Sequence, residues 1–219
     1  VNIDLAEAIR LYATRSALDL DSYLLSKSNH NLIAMLADLL TTYMNDVNSS
    51  TLRQFVTVAL SGYTPTERKL GYNGYRQSTL VTGGTEVCEA KPVNVRPGTR
   101  KRLNGGGSFS DYTPERLERD FKANPRLLVS GFVDGRLIYI IEFPFRCPSF
   151  VAELRGHLRR AFPSGAREPN RFLRSANFNF RHYKDCQDLE VHFVASDDIL
   201  RETRENFTRD FLRFLTAKR

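Results

Sequence analysis

The sequence predicts a mixed α/β fold: a central mixed β-sheet flanked by helices, preceded by an N-terminal helical segment over residues 1–60, with the core over 61–219. Three observations predict it. Apolar residues recur at helical spacing up to Leu60 and change to strand-like runs after Tyr75. Two turn signals, Gly83-Gly84 and Asp134-Gly135, each join two such runs into a hairpin. Helical patterns over 113–123, 149–162 and 198–216 interleave with the strands, so helices can cover a sheet.

In order, Ile3, Leu5, Ala8, Ile9, Leu11 and Tyr12 mark a first helix. Leu32, Ile33, Met35, Leu36, Leu39 and Leu40 mark a second over 31–43, with Ser28 or Asn29 as its cap. A third spans 51–60. Their apolar faces suit core packing or a subunit interface. Residues 61–84 are loop-rich, and Tyr75 to Val81 reads as a strand returning through Gly83-Gly84 into a strand over 85–93. Residues 96–110 read as a flexible loop, four basic residues running into three glycines. Thr113-Pro114-Glu115 opens a short helix. Residues 126–145 form the clearest hairpin, its second strand apolar enough to be central. Glu142 near its end reads either as a third acid in a cleft or, the favoured reading, as an edge residue meeting solvent. An amphipathic helix over 149–162, strands at 177–180 and 189–194, and one closing helix over 198–216 complete the chain.

The net charge is +7, and its distribution is uneven. Residues 1–60 carry four basic and six acidic side chains; the other 28 basic and 19 acidic ones leave +9 on residues 61–219. A basic body of that kind suits a polyanion. Arg96, Arg100, Lys101, Arg102, Asn104 and Ser108 offer guanidinium, amide and hydroxyl groups for phosphates and base edges. So do Arg174, Asn177, Asn179 and Arg181, within a stretch from Arg155 to Lys184 that holds eight basic residues and one acid. Three cysteines and four histidines show no zinc spacing, and no apolar run is long enough to span a bilayer. These features predict a cytoplasmic protein with reduced thiols and no small-molecule cofactor.

The strand over 85–93 carries the chemistry. With period two, Val87, Glu89, Lys91 and Val93 share one face, and the small Cys88 and Ala90 face the other way. A carboxylate and an ammonium there are costly to desolvate unless they line a polar cleft. Glu89-Ala90-Lys91 resembles the E-x-K half of the PD-(D/E)XK nuclease signature. The order of elements over roughly 60–195 is compatible with that superfamily's αβββαβ core, in particular with type II restriction endonucleases of prokaryotic cells. The resemblance implies Mg2+ held by Glu89, by the Ala90 carbonyl and by a second oxygen ligand, with Lys91 orienting the attacking water. The family places an aspartate before this strand; here Asn73 stands sixteen residues ahead of Glu89, and Glu67 is the other candidate ligand. It further implies sequence-specific cleavage of double-stranded DNA by a homodimer. Two alternatives stay open: a non-catalytic nucleic-acid binder in which Glu89 and Lys91 are structural, and metal-independent chemistry on Tyr72, Tyr75 or His182.

Overall fold

The computed structural model describes residues 3–46, 50–66, 71–77, 84–163 and 171–218. The fold is mixed α/β, and the chain divides into two compact units, Val1–Ser50 and Thr51–Arg219.

The first unit holds α1 (Ile3–Thr14), α2 (Ala17–Leu25) and α3 (Asn29–Asn45). Ser16 caps α2 in a capping box with Asp19, and the Ser28 hydroxyl caps α3 by accepting from Asn31 N–H. Leu5, Ala8 and Met35 form its small core. Asp4 is pinned between α1 and the other two helices, accepting from Tyr23 at 2.9 Å and Lys27 at 2.7 Å. The helical pattern of residues 3–12 does not reveal α2, whose residues are all at least partly exposed.

The second unit opens with α4 (Thr51–Leu60). Sequence patterning groups this helix with the N-terminal segment, but it belongs to the core. It buries Arg53, Thr57 and Val58, and Thr57 Oγ1 lies 2.6 Å from Ser130 Oγ. The boundary therefore falls at residue 50, not 60.

The strands are β1 (Thr64–Pro65), β2 (Gly74–Gln77), β3 (Thr85–Val95), β4 (Gly107–Tyr112), β5 (Arg126–Val133), β6 (Arg136–Pro144), β7 (Leu173–Phe178) and β8 (Glu190–Val194). Six form one mixed sheet in the order β1-β2-β3-β5-β6-β8, in which only β3 and β5 run parallel. Asp134 and Gly135, both at positive φ, turn β5 into β6. One row across the sheet reads Glu89–Leu127–Phe143 and the next reads Ala90–Leu128–Glu142. The first row faces the main core and the second faces α4, where Val58, Tyr63, Cys88, Ala90 and Leu128 pack together.

Over the first face lies a separate ribbon, β4 paired with β7, with α5 (Pro114–Ala123) and α6 (Pro148–Ala161) beside it. Its Phe109, Tyr112 and Phe178 join Phe143 and Phe150 in an aromatic core. The chain closes with α7 (Asp197–Glu202), a 3-10 turn (Arg204–Asn206) and α8 (Arg209–Ala217).

Several expectations change here. Residues 103–110 are not a flexible loop. Leu103 is fully buried, and Gly105, Gly106 and Gly107 pass so close to neighbours that a Cβ on Gly106 would lie 2.1 Å from the Phe178 carbonyl. The expected single helix over 198–216 is broken, because Leu103 bonds to the chain there: its N–H donates to Asn206 O at 2.7 Å and its carbonyl accepts from Thr208 at 2.9 Å. The strand expected at 177–180 ends at Phe178, since Asn179 Oδ1 caps the next turn. Glu142 does not meet solvent: β8 covers its strand, and its side chain is 0% exposed. The strand expected through Val81 is seen to Gln77; the rest lies outside the described residues. Among the described residues no helix is long and apolar enough to cross a membrane.

Candidate functional site

β2 stops pairing with β3 at Gly74, opposite Cys88, so the next β3 residue on that side has no ladder partner. Asn73 fills the gap. Its N–H donates to the Cys88 carbonyl at 2.8 Å and its Oδ1 accepts from Ala90 N–H at 2.7 Å. Gly74 is required at this crossing, because a Cβ would lie 2.5 Å from Val58 Cγ1. The N–H and carbonyl of one strand residue point to the same side, so the Ala90 carbonyl also faces the gap.

Glu89 and Lys91 project together on the other face, with side chains 12% and 15% exposed. Lys91 Nζ donates to Glu89 Oε1 at 2.8 Å and lies 4.3 Å above the Phe109 ring. Arg116 of α5 reaches the same Oε1 at 3.5 Å. Among the described residues Glu89 Oε2 accepts no hydrogen bond. A cleft of about 720 Å³ opens here, lined by Gln54, Gly71, Tyr72, Asn73, Glu89, Arg116 and Arg119.

The cleft wall on α5 is set by Asp120, buried at the helix's inner side. It accepts from Arg119 at 2.8 Å and from Tyr72 at 3.2 Å, and Arg116 Nε lies 3.6 Å away. Arg116 Nε is itself buried without a hydrogen-bond acceptor. Burial, reinforced by the Asp120 charge, pushes the Tyr72 phenol up to about 12. Two carboxylates thus face Lys91, Arg116 and Arg119, leaving the cleft one positive charge in excess.

The other expected residues fall into two places. Arg96, Arg100, Lys101 and Arg102 follow the end of β3, beside the β5–β6 turn, where Asp134 N–H donates to the Val95 carbonyl. Val95 is four strand residues past Lys91, about 13 Å away, so this loop is separate from the cleft. The Arg102 guanidinium folds back onto the Thr99 and Lys101 carbonyls. Asn104, Ser108, Arg174 and Asn177 lie on or next to the β4–β7 ribbon. Asn179 is a cap, and Arg181 pairs with Asp210 at 2.5 Å. Glu67 lies outside the described residues.

Gln54, Arg116 and Arg119 join the site without having been anticipated. Arg116, Arg119 and Asp120 do share one helical face by their spacing, which is a readable signal. Gln54 carries none, since its place depends on how α4 docks. No protein-family model and no curated protein matches the chain.

Proposed function

We propose that the chain is a metal-dependent nuclease of the PD-(D/E)XK type, cutting double-stranded DNA at Glu89 and Lys91. The observation that carries this reading is the pairing of those two side chains on one face of β3, with Glu89 lining a cleft that Arg116 and Arg119 also line. The succession α4-β1-β2-β3-β4-α5-β5, with β5 parallel to β3, is compatible with the same reading.

The donor chemistry fits Mg2+ in a specific way. The Glu89 carboxylate, the Ala90 carbonyl and the Asn73 amide are all oxygen donors, but only one carries charge. Mg2+ is commonly held by one or two carboxylates together with substrate phosphates. The excess positive charge of the cleft would draw the phosphate, whose oxygens would add to the ligands that Glu89, Ala90 and Asn73 could offer the metal. Bound there, Mg2+ would make a coordinated water acidic and offset charge on the phosphoryl oxygens.

The protein's own groups do the rest. Lys91 Nζ, fixed by Glu89 and by the Phe109 ring, donates a hydrogen bond to the attacking water and stabilises negative charge as it develops. Arg116 and Arg119, both lining the cleft, hold non-bridging phosphate oxygens. Tyr72 stays protonated near neutral pH, which argues against a tyrosinate nucleophile there.

Two copies per DNA site fit the first unit. Ten of the fifteen exposed large apolar side chains among the described residues lie in it, and Ile33, Leu36, Leu40 and Tyr43 form one stripe on α3.

The second reading, a non-catalytic DNA binder, is favoured by Asn73 and Gln54, two neutral amides beside a single carboxylate. Plasmid DNA incubated with Mg2+ or with EDTA separates the readings. The nuclease nicks or linearises it only with metal; gel shifts without cuts under both conditions support the binder.

A further inference from the structure

We infer that the β4–β7 ribbon is the sequence-reading element, entering the DNA major groove with its hydroxyl and amide face. This rests on the double-stranded-DNA reading above, and it assigns specificity to the ribbon instead of the basic loop after β3.

The ribbon has two unlike faces. Its inner row, Phe109 opposite Ala176, is buried in the core. Its outer rows are Ser108 opposite Asn177 and Ser110 opposite Ser175, all hydroxyl or amide. These two rows carry no apolar or acidic side chain, the exposed Asp111 lying past them where β4 turns at positive φ; such rows match base edges, which present mixed donors and acceptors.

The outer face is also pre-ordered. Ser108 and Ser175 hydroxyls lie 2.6 Å apart, and Ser175 donates on to Asn177 Oδ1 at 3.0 Å. That chain engages the Asn177 Oδ1 and leaves its NH2 group to donate elsewhere. Among the described residues neither Asn177 Nδ2 nor the Ser110 hydroxyl has a partner. The side chains that would read bases therefore lose little freedom on binding. Two strands about 4.8 Å apart, with short side chains, fit a groove about 12 Å wide.

Charge and position support the same occupant. Arg174 is exposed on β7, and the stretch from Arg155 to Lys184 has eight basic residues to one acid. The ribbon is fixed beside the cleft at two points of β4. Gly107 lies so close to Lys91 that a Cβ there would be 2.8 Å from Lys91 Cβ. Arg116 Nη1, from the cleft wall, donates to the Ser110 carbonyl at 3.0 Å. A duplex read by the outer face is thereby held at a set distance from Glu89.

The test is selection of double-stranded DNA with a randomised centre by the full chain in EDTA, where binding is read without cleavage. The wild type is expected to enrich a motif. Asn177→Ala and Ser110→Ala, both exposed, should each relax preference at one or two positions by about tenfold or more, with the salt dependence unchanged. Arg174→Ala should weaken all sequences alike and flatten the salt slope by about one. Matching circular dichroism melts confirm that each variant is folded. A wild-type motif kept intact by the Asn177→Ala/Ser110→Ala double variant overturns the inference, as does enrichment of nothing by the wild type. A motif lost in that double variant, in a protein that never cuts with Mg2+, upholds the ribbon and removes the nuclease. Metal-dependent cutting without a motif removes the ribbon alone.

Discussion

Glu89 and Glu142 lie on opposite faces of one sheet, two strands apart, and their surroundings differ in kind. Glu142 uses both oxygens. Oε1 accepts from Arg126 at 2.5 Å, Tyr63 at 3.0 Å and Arg76 at 3.4 Å, and Oε2 pairs with His192 Nε2 at 2.7 Å. Glu89 accepts a hydrogen bond at one oxygen only, from Lys91, with Arg116 3.5 Å from the same atom, and the residue lines the cleft. A buried carboxylate with both oxygens engaged by protein donors has little left to offer a ligand; it ties strands together. A half-engaged one beside open space does have something to offer. The ligand atoms of Glu142, Glu190 and His192 lie within 4.8 Å of one another, as a metal site would require. The Arg126 guanidinium already bridges the two glutamates, with Glu190 at 3.2 Å, so that place is taken by a protein cation.

The contrast can be broken most strongly at Glu142. Glu142→Ala strands Arg126, Arg76 and His192 around a cavity, and should cost about 3–5 kcal/mol in urea unfolding, while the folded fraction keeps its DNA binding. A loss under 1 kcal/mol would mean that the network is not structural.

Acid gives a milder version of the same break. Burial pushes the Glu142 carboxyl up, but the His192 hydrogen bond and the Arg126 and Arg76 charges outweigh it, so its pKa falls below the usual carboxylate range. A lowered folded pKa contributes stability above the unfolded value of about 4.3, lost as pH falls through the folded pKa. Melting temperature should therefore drop below about pH 4, and Glu142→Gln should flatten that drop. Equal slopes in the two proteins would remove Glu142 as a source.

At the cleft, Asn73→Asp adds a second charged oxygen beside Glu89 and keeps an acceptor for the Ala90 N–H. The Mg2+ concentration needed for half-maximal cleavage should fall on the order of tenfold; an unchanged requirement would place the second ligand elsewhere. The smallest effect belongs to the loop after β3. Arg100→Ala should weaken DNA binding a few-fold and lower the salt slope by about one, at all sequences equally. An unchanged slope would take the loop off the DNA.

Much of this was legible where the signal is local. The period-two face of β3, the Asp134-Gly135 turn, and the caps at Ser28 and Thr113 all follow from neighbours in sequence. What was not legible depends on distant partners. Gly105 to Gly107 look flexible in isolation, yet they are glycines because Phe178, Tyr183 and Phe211 press on them. Glu142 looks like a strand-end acid until β8 and β2 bring His192 and Arg76 to it. Arg100 to Arg102 follow Lys91 closely in sequence, but an extended strand carries them away from the cleft.

Lys91→Ala, compared with the wild type on one DNA duplex, measures the main claim most directly. Single-turnover cleavage with Mg2+ and equilibrium binding in EDTA are read on the same preparations. The account predicts a loss of at least about a hundredfold in cleavage rate with binding kept within a few-fold. Cleavage per bound complex equal to the wild type's, or no metal-dependent cleavage by the wild type at all, would contradict it.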